Sequence, residues 1–353
     1  MKKRVLYLMA AVVLSMSMLL CACSSGEGGA DSTTPAATGQ DSSAGNNASD
    51  NNNASSKDAD KPADNGTTDA GTDNGSNTAD QGDSDDSDVL SVLTGKETGE
   101  YKKKDINTNY NPDKCVAINL NGSSASSEGS GVSINGGIIT ISEEGKYIVS
   151  GTLDNGQIVI NVDKEEDVRL ILNGVNITCG NSSCIYVMSA DKLIITLAEG
   201  TTNTLRDGAS YTYTDAENEE PNAALFTDCD LSINGNGTLN VTGNFKHAIR
   251  AKADIKITSG KLIISAVNKG IKAKKTLSVL NGDIIISSGK DGLEAGSTVN
   301  IDGGNLIITA EDEAMQSDEQ IIVNNGTVDL SKSKNGMKAP VITTNGGNVI
   351  LPQ

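Results

Sequence analysis

Beyond Val116 the chain alternates short β-branched runs with Asn-Gly, Gly-Gly and Asp-Gly turns, and no stretch sustains a helical period of apolar residues. From 254 to 340 the alternation keeps strict time. Ile255, Leu277, Val299 and Ile321 fall 22 residues apart. So do Leu262, Ile284, Leu306 and Val328, then Ile271, Leu293, Met315 and Met337, and the turn glycines Gly260, Gly282, Gly304 and Gly326. A fixed period of this length is the signature of a solenoid. Three strands and three corners per repeat predict an all-β chain in which each repeat is one coil of a parallel β-helix, with about 22 residues per coil. Alternate side chains then point inward and stack on their equivalents one coil above. Ile255/Ile257, Leu262/Ile264 and Ile271/Ala273 are the predicted inward set of one coil. A β-sandwich predicts irregular strand spacing and hairpins instead. Residues 116–351 have room for about ten coils, a rod of roughly 50 Å.

One coil breaks the rhythm. Ile185 and Leu225 occupy the same column but lie 40 residues apart, so about 18 residues around RDGASYTYTDAENEEPN must loop out of the rod. They carry Asp207, Tyr211, Tyr213, Asp215, Glu217, Glu219 and Glu220. Long loops on a regular scaffold are often where function sits.

The first residues follow a different logic. Lys2, Lys3 and Arg4 precede an apolar run over 5–20, broken only by Ser15 and Ser17. That run is shorter than the ~20 residues of a membrane span, so it reads as an export signal. It ends in Leu20-Cys21-Ala22-Cys23 and then Ser24-Ser25-Gly26, which resembles a bacterial lipobox. The resemblance implies a signal peptide over 1–22 and a diacylglyceryl anchor on Cys23, holding the chain to the outer face of the cell membrane. Cys21 fits less well, because bulky Leu20 precedes it. Residues 24–88 are nearly all Ser, Asn, Asp, Gly, Thr and Ala, with nothing to bury. With Cys23 they form a solvated linker of roughly 45 Å mean reach. The folded domain is expected over 89–353.

The formal net charge of −18 is divided unevenly. Residues 24–88 hold 14 acids against two lysines; residues 89–353 hold 32 acids and 23 bases, a net −9. No basic stripe invites nucleic acid. The single histidine, His247, excludes a multi-His metal site and leaves few routes to a His-based triad. With no Trp, two Phe and seven Tyr, the chain cannot build a broad stacking platform for neutral sugar, and Tyr211 and Tyr213 are the best aromatic pair.

The segments LAEGTTNTLRDGASYTYTDAENEEPNAALF (197–226) and LSINGNGTLNVTGNFKHAIRAKADIKITSG (231–260) resemble the clostridial surface-lipoprotein carbohydrate-binding domain family. The likeness spans about 116–340 and includes the interrupted coil. It implies a calcium-containing, right-handed parallel β-helix built like pectate lyases. A family member is described as binding cellulose and acidic plant sugars such as polygalacturonate, without established lyase activity.

Two columns of side chains carry candidate chemistry. The residue two before each third-strand aliphatic reads Ala223, His247, Lys269, Asp291, Glu313, Asn335. Asp291 and Glu313, one coil apart, approach within ~5 Å and repel unless a cation or proton intervenes. With Asp312 and Glu294 they offer an oxygen-only set suited to Ca²⁺, the cofactor that the resemblance implies. The alternative is a solvated acidic corner neutralised by Lys269 and Lys290. Lys269 stands where the family pattern favours an acid, and its ammonium can replace a cation electrostatically. A second calcium candidate is Asp228, Asp230 and Asp254. The basic counterpart is Lys246, Arg250, Lys252, Lys269, Lys272, Lys274 and Lys275, in which Arg250 aligns with Lys272 and Lys252 with Lys274. Such a patch can hold a polyuronate; equally, it can be a solvated face that discourages edge pairing. Lys269 or Lys272 beside Asp291 also supplies the parts of a pectate-lyase-like base, provided its pKa is lowered. The expectation is polysaccharide binding without catalysis, with a lyase or a structural stalk or adhesin as alternatives. Cys179 and Cys184 fit a corner disulfide or an inward thiol stack, and the pairing of Cys115, Cys179, Cys184 and Cys229 stays open.

Overall fold

The computed structural model describes residues 100–213 and 219–353; the signal segment 1–22, Cys23 and the linker to residue 88 lie outside the described residues. The strands form one sheet of eighteen and one of ten, and every pairing is parallel except two short ones near the start. Together they wind a parallel β-helix of about 9 turns with roughly 23 residues per turn. The larger sheet wraps two faces of the helix and the smaller makes the third.

The predicted columns are rungs of these sheets. Ile255, Leu277, Val299 and Ile321 are paired in sequence on the first face. Leu262, Ile284, Leu306 and Val328 are paired on the second, and Ile271, Leu293, Met315 and Met337 on the third. The predicted inward set, Ile255 to Ala273, is buried. Each such aliphatic removed from water contributes about 1.5–3 kcal/mol, so a column of them is the main stabilising element. There are fewer turns than the ten expected because the early corners are longer. Leu170 pairs with Ile195 and Leu231 with Ile255, 25 and 24 residues on.

The corner between the first two faces needs glycine for two reasons. Gly282, Gly304 and Gly326 have φ of +126°, +89° and +99°, a region that L side chains adopt at a cost. A Cβ on Gly304 would also lie 2.7 Å from the carbonyl oxygen of Gly282, and one on Gly326 2.7 Å from that of Gly304. The coils touch there through backbone alone.

The interrupted coil keeps its register. Leu225 pairs with Ile185 despite the 40-residue separation, and the extra residues leave between strands Thr202–Asp207 and Ala223–Thr227. At the last coil Ile342 stacks on Ile321 but is 44% exposed, whereas Ile321 is fully buried.

The pattern of apolar residues had no bearing on residues 100–107. This segment lies across the outer surface of the first face, with one helical turn, α1 (Lys103–Ile106). Asp105 is completely buried on the sheet, where Lys192 Nζ pairs with it at 2.6 Å and Ser232 Oγ donates to it at 2.7 Å. Its backbone carbonyl accepts from Thr258 Oγ1 and Asn234 Nδ2. Arg169 donates to the carbonyls of Asn107 and Lys104. Further along, Glu100 accepts from Ser278 and Asn300, and Tyr101 Oη donates to Asp302 at 3.0 Å. The segment is a strap of polar contacts laid over successive coils.

Burial alone would raise the Asp105 pKa, but the hydrogen bonds from Lys192, Ser232 and the Lys102 amide outweigh it and hold the carboxyl below its ordinary value. Its contribution is therefore present above the unfolded pKa of ~3.9 and lost as pH falls through the lower folded value. Asp105→Ala strands the Lys192 charge and should destabilise the protein by roughly 3–5 kcal/mol at pH 7, with the deficit shrinking in strong acid. The joint change Asp105→Leu with Lys192→Met should cost much less. Urea unfolding of the three proteins checks this, and equal losses for single and joint variants would refute the ion-pair account.

Candidate functional site

The outward side chains of the ten-stranded sheet form a ladder. Tyr186, Phe226, Arg250, Lys272, Glu294, Gln316 and Lys338 are paired one above the next. Beside it runs the corner column of His247, Lys269, Asp291, Glu313 and Asn335. Parallel pairing puts charges 22 residues apart in sequence about 4.8 Å apart in space, so each must find a counter-charge nearby.

Lys269 supplies one. Its ammonium lies 2.9 Å from Asp291 Oδ2 and also pairs with Glu294. Lys272 pairs with Glu294 Oε1 at 2.6 Å. Asp291, only 2% exposed, also accepts the Glu313 amide at 3.2 Å. Burial pushes its pKa up, but Lys269 prevails and holds the carboxyl below its usual range. Glu313 is paired with Lys338 at 2.8 Å, and Asp312 lies 3.9 Å from Lys334. Asp291, Asp312 and Glu313 bring one carboxylate oxygen each within 4.8 Å of one another. Glu294, committed to two lysines, stands outside that trio.

The second acidic group is arranged otherwise. Asp230 Oδ1 accepts the Asp254 amide at 3.2 Å, and Asp254 Oδ1 accepts the Thr276 amide at 2.9 Å. Each aspartate thereby caps the corner of the coil above. Asp228 pairs with Lys252 at 2.7 Å. These oxygens are spent on backbone and lysine.

Four cations crowd His247, which is 6% exposed with a buried Nδ1 that finds no hydrogen-bond partner among the described residues. Burial first, then Lys272, Arg250, Lys269 and Lys246, lower its pKa to about 3, so the ring is neutral. Burial and the same neighbours, Lys269 and Arg250, lower Lys272 to about 8. Lys274, by contrast, is exposed at the corner beyond the ladder.

The aromatic pair is part of a trio. Tyr211 stacks on Phe245 with centroids 4.5 Å apart and planes 18° apart, and Tyr213 is tilted 57° to Phe245. Tyr211 Oη donates to Asp207, and Tyr213 Oη to the Pro221 carbonyl. Rings that cover each other's faces anchor the inserted loop rather than presenting a flat platform. Phe245 escaped the sequence reading because no motif distinguishes it; it meets Tyr211 only because the loop folds back over the next coil. Among the described residues, Cys115, Cys179, Cys184 and Cys229 are free thiols, and the last three are buried.

Residues 135–348, more than half of the chain, match the family described as carbohydrate-binding domain-containing protein. The chain belongs to that family. A member from Acetivibrio thermocellus is 36% identical over 173 residues, 49% of this chain and 56% of that protein. The chain therefore spans little more than half the length of that relative. A solved structure described as the polysaccharide lyase-like protein from C. thermocellum, in a gadolinium derivative, is 33% identical with a TM-score of 0.64, covering 67% of this chain and all of that one. Family membership fits a polysaccharide ligand, and the fold is lyase-like.

Within this carbohydrate-binding scaffold, Lys269 is the keystone of the acidic corner. Lys269→Gln removes the ammonium from Asp291, so the Asp291 carboxyl should titrate above its ordinary value instead of below. Carboxyl ¹³C NMR across a pH series reads the midpoint; an unchanged low value would refute the role given to Lys269.

Proposed function

We propose that this protein binds an acidic polysaccharide, such as polygalacturonate, along the outer surface of the ten-stranded sheet, and does so without catalysis. The observation that carries the reading is the register-aligned pair Arg250 and Lys272, with Lys246, Lys252 and Lys269 around it. Burial first, and then these cations, disfavour charge on His247 and Lys272. Neutral cellulose is less favoured, since the rings of Tyr211 and Phe245 are stacked on each other.

Calcium is the proposed cofactor. Asp291, Asp312 and Glu313 are a hard, oxygen-only donor set of the kind that Ca²⁺ takes, and the ion would relieve the repulsion that Lys269 and Lys338 now offset. The proposed setting is the outer face of a bacterial membrane, with the chain anchored through Cys23 and the domain extended on its linker.

A lyase is the second reading: Lys272 lies beside Lys269 and Arg250, and burial together with those cations lowers its pKa to about 8, near that of a working base. Ultraviolet absorbance of unsaturated products from polygalacturonate with Ca²⁺ separates the two, and its steady growth would establish the lyase.

The protein should be retained on immobilised polygalacturonate and released by salt; free passage through that matrix would sink the acidic-ligand reading. Calcium at a hundredfold excess over its Kd should stabilise the protein by about 2.7 kcal/mol. Asp291→Asn with Glu313→Gln should abolish that gain, and melting in chelator should fall as well because Lys269 and Lys338 lose partners. A full calcium response in the double variant would remove the ion from this corner.

A further inference from the structure

The inserted loop returns to the rod against the basic patch. Glu220, just before strand Ala223–Thr227, presents its two carboxylate oxygens to two different cations of the next coil. Oε1 lies 2.9 Å from Arg250 Nη2, and Oε2 lies 3.0 Å from Lys252 Nζ. Arg250 Nη1 donates to Asn222 Oδ1 at 2.6 Å, which fixes the guanidinium plane. The guanidinium carbon sits 5.5 Å from the centre of the Phe226 ring beneath it. Glu220 is 24% exposed and Arg250 18%. Glu219 differs: it is 69% exposed, and its carboxylate pairs with Lys246.

We propose that Arg250, Lys252 and Asn222 form a subsite for the carboxylate of a uronic acid, and that Glu220 of the chain itself fills it in competition with the ligand. This rests on the acidic-polysaccharide reading and specifies where one sugar acid is held. A carboxylate gripped through both oxygens by a guanidinium and an ammonium, with the guanidinium laid on an aromatic face, is held in direction as well as charge. Lys252 also holds Asp228 at 2.7 Å, but a second carboxylate between Arg250 and Lys252 would meet Glu220 directly, and like charges at this separation repel. A sugar acid must therefore displace Glu220, and the apparent affinity is reduced by the fraction of molecules in which the subsite is vacant. Lys272, one rung beyond Arg250, meets the next acidic unit of a polymer lying along the rod.

Glu220→Gln keeps the shape of the side chain but removes the competing charge and turns one of the two acceptors into a donor. In the full-length protein, titration with D-galacturonate can be followed on the Asn222 side-chain amide ¹⁵N resonance, which every variant keeps. Glu220→Gln should bind about tenfold more tightly than wild type, while Glu219→Gln should change by no more than about twofold. Arg250→Gln added to Glu220→Gln should erase the gain. Unimproved binding in Glu220→Gln overturns the proposal, and so does an equal gain in Glu219→Gln, which would reduce the effect to net charge. Polygalacturonate retention is a separate arm. If neither wild type nor Glu220→Gln is retained while the monosaccharide gain persists, the polymer reading fails and the subsite stands.

Discussion

Each coil of this molecule completes the backbone hydrogen bonds of the coils on either side, and the whole structure depends on that pairing staying in register. In a hairpin protein a side chain can drift relative to its neighbours in sequence. Here a one-residue slip in any coil would turn an isoleucine column out to solvent and a charged column in. The same constraint governs the surface. Arg250 sits over Lys272 and Asp291 over Glu313 because Ile249 must pair with Ile271 and Leu293 with Met315. The core decides which charges meet.

Those forced meetings explain the electrostatics of the third face. Like charges in one column are relieved sideways: Lys269 reaches Asp291 and Glu294, Lys272 reaches Glu294, and Lys338 reaches Glu313. The face is a lattice of both signs rather than a patch of one. The inserted loop joins the lattice through Glu219 and Glu220, although it belongs to no column.

What could be read from the sequence tracks what repeats. The 22-residue period, the three rungs, the inward set and the interrupted coil all follow from residues that recur at fixed spacing. The alignment of Asp291 with Glu313 and of Arg250 with Lys272 was legible for the same reason. The internal partners of those charges were legible only in part: Lys269 was seen to be able to stand in for a cation, but Glu220 was not seen to reach Arg250. A loop's return path has no period, and neither does Phe245. The strap was invisible for a related reason. Its contacts are hydrogen bonds and a buried ion pair, Asp105 with Lys192, separated by 87 residues and without apolar patterning to betray them.

The strap also changes where the rod can be pulled. The chain enters the described fold at Glu100, level with Ser278, Asn300 and Asp302, and reaches the first coil only after crossing the outer face. Tension arriving along the chain from the N-terminal side is thus a sideways load near the far coils, not an axial tug on the first one. It meets the Glu100 and Tyr101 contacts one at a time, as a zip is opened. Asp105, locked on Lys192, is the stop at which peeling would give way to shear. The stacked coils would feel the force only after that stop had failed.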